Sequence, residues 1–215
     1  MTIGDMYRTN AMTKFLLILI NMGLFTLNRT AWAVLGMLCL AGALYLAFRQ
    51  GMAYGHEASG ILKTVERAQD PQSPTHGQLD KKLIGQAWSV SKGIRAVLAC
   101  ALLPYVVGAA YIACSLLNVE KLVMPLRLAS WVLASPFWPL VLPWYNTFDR
   151  LTGVVAAVLM ISPFLLPLST FAGYMQGPRL WEKSEKAMAE GKRRAKAKSR
   201  VVRKRSVPRS QRPEI

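Results

Sequence analysis

Three stretches of this chain, 96–119, 128–148 and 151–178, run for 24, 21 and 28 residues without a single charged side chain. A helix crosses the roughly 30 Å of bilayer hydrocarbon with about 20 mostly apolar residues, so each stretch is long enough to span. A fourth, 30–48, holds 19 residues with Trp32 near its start and Arg49 directly after it. Aromatic and basic residues at the ends of an apolar run are interfacial anchors. The chain is also 53% apolar and 18% charged, whereas soluble domains carry about 25% charge. The expectation is an all-α, polytopic integral membrane protein with about four transmembrane helices, at 30–48, 96–119, 128–148 and 151–178. An extramembrane helical hairpin over 49–95 and a basic tail over 179–215 complete it.

The first 29 residues allow three readings. The apolar run 15–27 is too short to span by itself, and Lys14, Asn21 and Asn28 recur every seven positions, on one helical stripe. An amphipathic helix lying in the interface plane fits both features and is the reading adopted. The others are a snorkelled span over 11–28, and a signal peptide cleaved near Ala31, Trp32 and Ala33, against which Arg29 argues.

Charge orients the chain. It carries 27 Lys and Arg against 11 Asp and Glu, and 14 of the basic residues lie from Arg179 onward. Cationic segments next to a span stay cytoplasmic, so the C-terminus is expected there. With four spans the basic loop 49–95 must then lie outside, and Lys121 and Arg127 fall in a short cytoplasmic loop. That conflict vanishes if 128–148, broken by Pro136, Pro139 and Pro143, re-enters and returns instead of crossing. Proline removes a backbone donor and clashes with the preceding turn, and irregular backbone is tolerated at membrane depth where protein covers it. Pro163 and Pro167 mark a bend in the last span.

Small residues recur at every fourth position through Cys39, Ala43, Ala47, Gly51, Gly55 and Ser59. Such a ridge lets helix backbones approach closely in lipid, where the hydrophobic effect does not drive helices together. It runs past Phe48, which predicts that the first span extends beyond the membrane, to Gln69, and stops at Asp70-Pro71. Asp80 would cap a returning helix with Leu83, Ile84, Ala87, Trp88 and Ser91 on one face and Gly85, Ser89 and Gly93 as a second ridge.

The tail reads as a helix over 181–200, then an irregular end at Pro208 and Pro213. Its cationic contact residues are Lys192, Arg193, Arg194, Lys196, Lys198, Arg200, Arg203, Lys204 and Arg205. Each could contribute about 1 kcal/mol at an anionic leaflet. Nucleic acid is a weaker alternative, because no aromatic side chain follows Trp181 to stack on bases. No catalytic motif, metal-ligand spacing or cofactor fingerprint is present, and the spans hold none of the ionisable residues that proton relays require. Cys39, Cys100 and Cys114 all fall within predicted spans as small apolar packing residues. The expected role is a non-catalytic membrane-embedded adaptor or accessory subunit, associating with a membrane protein or a second copy of itself through small-residue faces. The alternative is a small transporter or channel component for uncharged or hydrophobic cargo.

Overall fold

The computed structural model describes residues 3–72, 81–140 and 152–206, with side chains for 4–72, 83–140 and 152–196. Within these residues the chain is all-helical. Helix α1 is Ile3–Leu24, α2 Arg29–Gln69, α3 Lys81–Gln86, α4 Val90–Leu116, α5 Glu120–Ala134, α6 Gly153–Met175 and α7 Gly177–Ser206, with a 3-10 turn at Ser135–Leu140 after α5. Three runs are long and apolar enough to cross a membrane: α2, α4 and the combined 153–196 of α6 and α7. They overlap three of the four expected spans.

Local chemistry sets the boundaries. Asn28 caps α2, its Oδ1 accepting from the Ala31 N–H at 2.8 Å, which satisfies one of the orphan donors of the first turn. The helix then runs 41 residues, about 60 Å, until Pro71 forbids continuation and the Asp70 carboxylate accepts from the Gln72 N–H. At the far end of α4, Asn118 takes φ 54°, a left-handed conformation that asparagine tolerates, and the chain turns at once into α5. Lys121 and Arg127 therefore sit on a helix, where a loop was expected. The return leg from α2 is not one helix either. It breaks after α3, where the Trp88 N–H donates to the Ala58 carbonyl of α2 at 3.0 Å and the Lys92 ammonium caps the Ala87 carbonyl at 2.6 Å.

Directions follow from the contacts. Gly93 of α4 lies against Phe171 of α6, and Gly108 against Leu159, so α4 and α6 are antiparallel. Gly51 meets Thr170, Gly55 meets Tyr174 and Gly177, and Gly60 meets Trp181, so α2 runs parallel to α6 and α7. The end of α4 and the start of α6 consequently lie at the same end of the bundle. The segment between them is α5, which climbs alongside α4 with Ser130 Oγ donating to the Val107 carbonyl at 3.4 Å, and then the 3-10 turn. Phe137 and Trp138 of that turn are buried among α1, α2 and α6. Its tip reaches the middle of α6, near Ser162 and Leu166. The expected span 128–148 is thus not one helix: Pro136 and Pro139 stand in the 3-10 turn, and Pro143 lies outside the described residues. Pro163 and Pro167, by contrast, fall inside α6 without ending it.

Helix α1 packs antiparallel to α2, with Thr9 Oγ1 and Tyr54 Oη 2.8 Å apart near one end and Asn21 Oδ1 accepting from Trp32 Nε1 at 3.3 Å near the other. Its polar stripe points into the bundle. Asn10 and Asn21 are buried while Phe15, Leu16, Leu19 and Met22 are exposed.

The close approach at Gly51 and Gly55 depends on the missing Cβ. An added Cβ at Gly51 would meet the Thr170 carbonyl, and at Gly55 the Tyr174 carbonyl, neither of which can rotate away. Gly51→Ala and Gly55→Ala should each cost about 1–3 kcal/mol, read as a lower melting temperature in detergent. Gly42 has open space around it, so Gly42→Ala should be neutral or stabilising by a few tenths of a kcal/mol to about 1.

Candidate functional site

The small-residue ridge of α2 is buried from Ala43 through Ala47, Gly51, Gly55 and Ser59, with Cys39 half-buried at its start. The cover over it belongs to the same chain. Phe137 and Leu166 pack on Ala43 and Ala47, and Gly173 enters the groove against the Phe48 carbonyl and Met52 N–H. Gly177 meets the Gly55 backbone. Small residues on both helices bring the two backbones together, as packing in lipid favours. Ser169 Oγ donates to the Leu44 carbonyl at 2.7 Å, adding a polar tie in an apolar setting. Since the ridge is filled by α6 and α7, it is not a surface offered to a partner.

Helix α7 leaves α6 across Gln176, whose N–H donates to the Gly173 carbonyl at 3.0 Å. Pro178 sits in its first turn, where the absent N–H costs nothing. The helix is held to the outer part of α2 by Gly177 on Gly55, by Trp181 over Gly60, by His56 Nε2 and Ser184 Oγ at 3.1 Å, and by an Arg67–Glu185 ion pair at 3.1 Å. His56 therefore has a hydroxyl partner in the tail, a link that a separation of 128 positions conceals from sequence reading. The ion pair is well exposed and contributes little by itself; the glycine and tryptophan contacts fix the angle.

Beyond that docked portion, every residue over 186–196 is exposed. Lys192, Arg193, Arg194 and Lys196 stand there on helix α7, and the helix backbone continues through Lys198, Arg200, Arg203, Lys204 and Arg205. The fold thus brings the basic residues together as one rod and separates them from the ridge and from the prolines.

Two aromatic groups mark the bundle's two ends. Trp32 and Trp138 pack with Tyr111 and Val155 at one. At the other, Trp88 stacks on Tyr174 at a centroid distance of 6.0 Å and donates from Nε1 to its carbonyl at 3.3 Å, while the Ser89 N–H donates to its hydroxyl at 3.1 Å. Val155 and Tyr174, the α6 residues in these groups, lie 19 positions apart, about 28 Å of helix. Between them the outward faces carry Leu38, Leu102 and Leu103 at 65%, 63% and 63% exposure, while Asn21 and Thr170 inside are at 1% and 2%. Among the described residues no three His, Cys, Asp or Glu side chains cluster as metal ligands.

Comparison with protein-family models, with curated proteins and with solved structures finds no match.

The docking of α7 has a direct readout. Spin labels at Gln69 and Lys186 should give one narrow distance distribution, and Gly177→Val, which forces a branched side chain against the Gly55 backbone, should broaden it.

Proposed function

We propose that the chain is a non-catalytic integral membrane adaptor or accessory subunit that crosses the bilayer four times and holds the basic helix α7 out from the cytoplasmic surface. The observation that carries the membrane reading is the apolar outer surface of the bundle. Large apolar side chains such as Leu38, Leu102 and Leu103 face outward along α2 and α4, as hydrocarbon-solvated helices require. The four crossings are α1, α2, α4 and α6, with α5 and its 3-10 turn re-entering. This places the start of α1, the 49–95 region and the tail on one side. Arg8, Arg49, Lys63, Arg67, Lys92 and Arg95 join the tail there, leaving Arg29, Lys121 and Arg127 opposite among the described residues. The positive-inside rule then makes the α7 side cytoplasmic, and the conflict in the charge balance disappears.

The contact element is α7 and not the ridge, because the ridge is filled from within. Lys192 lies 15 residues past Gly177, about 22 Å along a helix that follows α2 away from the bundle. Anionic headgroups are screened over about 8 Å at physiological salt. This geometry favours an acidic partner in the cytoplasm over the protein's own leaflet. Phe137 and Trp138 at 1% and 2% exposure fill the interior beside α6, which favours the adaptor over a cargo pathway.

Sidedness decides the topology. In a cysteine-free background, single cysteines at Glu66 and Lys186 should be protected from impermeant reagent in intact cells, and one at Asn118 should be labelled; labelling of Glu66 with protection of Asn118 would refute it. For the arm, a spin label at Lys196 in anionic nanodiscs should report an aqueous environment, and interfacial depth there would return the tail to the leaflet.

A further inference from the structure

A cavity of about 230 Å³ opens between α1, α4, α6 and the 3-10 turn. Most of its wall is apolar, with Phe15, Pro104, Phe137 and Leu166 along it; its polar end is Asn10 and Lys14. Asn10 is fully engaged: Nδ2 donates to the Met6 carbonyl at 3.0 Å, and Oδ1 accepts from Thr170 Oγ1 at 2.9 Å. Lys14 is not. Among the described residues no carboxylate and no hydrogen-bond acceptor reaches its ammonium, and no Asp or Glu lines the cavity.

Position makes this lysine unusual. Asn10 is level with Thr170 of α6, and Lys14 lies one turn further towards the bundle centre. On the membrane reading proposed for this chain, which this inference rests on, Lys14 stands inside the hydrocarbon boundary at the α7 end. A cation there is costly and marks a functional site unless an anion meets it. The volume is below the about 300–1,000 Å³ that encloses a drug-sized molecule, which leaves room for part of one hydrocarbon chain and not for a whole two-chain lipid.

We propose that this cavity holds part of one acyl chain of an anionic glycerophospholipid from the leaflet at the α7 end, with the headgroup phosphate paired to Lys14. The chain lies along Phe15 towards Phe137, and the other acyl chain stays in the bilayer. A zwitterionic lipid offers the same phosphate, but its ammonium finds no carboxylate here, so the site selects net negative charge.

The test is native mass spectrometry of the full chain, delipidated in detergent and titrated with phosphatidylglycerol or phosphatidylcholine of identical acyl chains. One phosphatidylglycerol should be retained at least about fivefold more strongly, the ratio that about 1 kcal/mol gives. Lys14→Gln should abolish the preference. Cys100→Phe, which leaves Lys14 in place and fills the wall beside it, should lower phosphatidylglycerol retention by at least the same factor, and it decides the matter if Lys14→Gln does not fold. Equal retention of the two lipids by the wild-type chain, or a preference that survives both substitutions, overturns the proposal. A chain that stays monodisperse without detergent would instead overturn the membrane reading, so the two failures are distinguishable.

Discussion

Everything about the arrangement of this bundle depends on the backbone-to-backbone approach of α2 and α6–α7 at Gly51, Gly55, Gly173 and Gly177. Glycines on both sides of one groove leave no Cβ to hold the helices apart, so main-chain atoms meet directly. Because the contact pairs two helices in parallel, and α4 runs the other way between them, the stretch joining α4 to α6 has no second side to go to. It must rise and come back. Pro136 and Pro139 stand in the 3-10 turn that ends α5, and Phe137 and Trp138 beside them are buried.

The second constraint is the accounting of polar groups away from water. Asn10, Asn21, Ser59, Ser162 and Thr170 are all buried, and an unpaired polar group in such a setting costs several kcal/mol. Most pair close by. Asn10 Nδ2 and Asn21 Nδ2 donate to the carbonyls one turn earlier, and Ser59 does the same to Gly55. Their remaining acceptors then tie helices together, Asn21 to Trp32 and Asn10 to Thr170. Helix α1 is held by these pairs together with the buried Met6 and Leu17, while Phe15, Leu16, Leu19 and Met22 stay exposed.

Much of this was legible in the chain and some was not, for identifiable reasons. Unbroken apolar length exposed α2, α4 and α6, and the four-residue spacing of small side chains showed that α2 would be approached closely and would run on to Gln69. That spacing carries no information about which helix approaches. The glycines that answer it, Gly173 and Gly177, sit beside Pro178 and read equally well as a helix end. Counting basic residues by side raised the re-entrant path for 128–148 beside the four-span reading, but proline tells only that a helix stops, not where the chain goes next. The stripe through Lys14, Asn21 and Asn28 led to a solvent-facing reading because polarity usually points to water. In a bundle whose outside is apolar, Asn21 turns inward and Asn10 joins it, Lys14 is half-buried, and Asn28 stays exposed as the cap of α2. The cavity at Lys14 needs four separate elements to form, and no local pattern encodes that.

The brevity of the turns at one end of the bundle has a consequence for biogenesis. Only 25–28 separates α1 from α2, and only 117–119 separates α4 from α5, so α1 with α2, and α4 with α5, can enter a bilayer as two pre-paired units. Neither unit has to drag a folded domain or a long hydrophilic stretch through the hydrocarbon. On the four-crossing topology proposed above, the described residues to be translocated shrink to a few at each tip, with Arg29, Glu120, Lys121 and Arg127 their charges, and the long helix α7 stays on the face from which the chain enters.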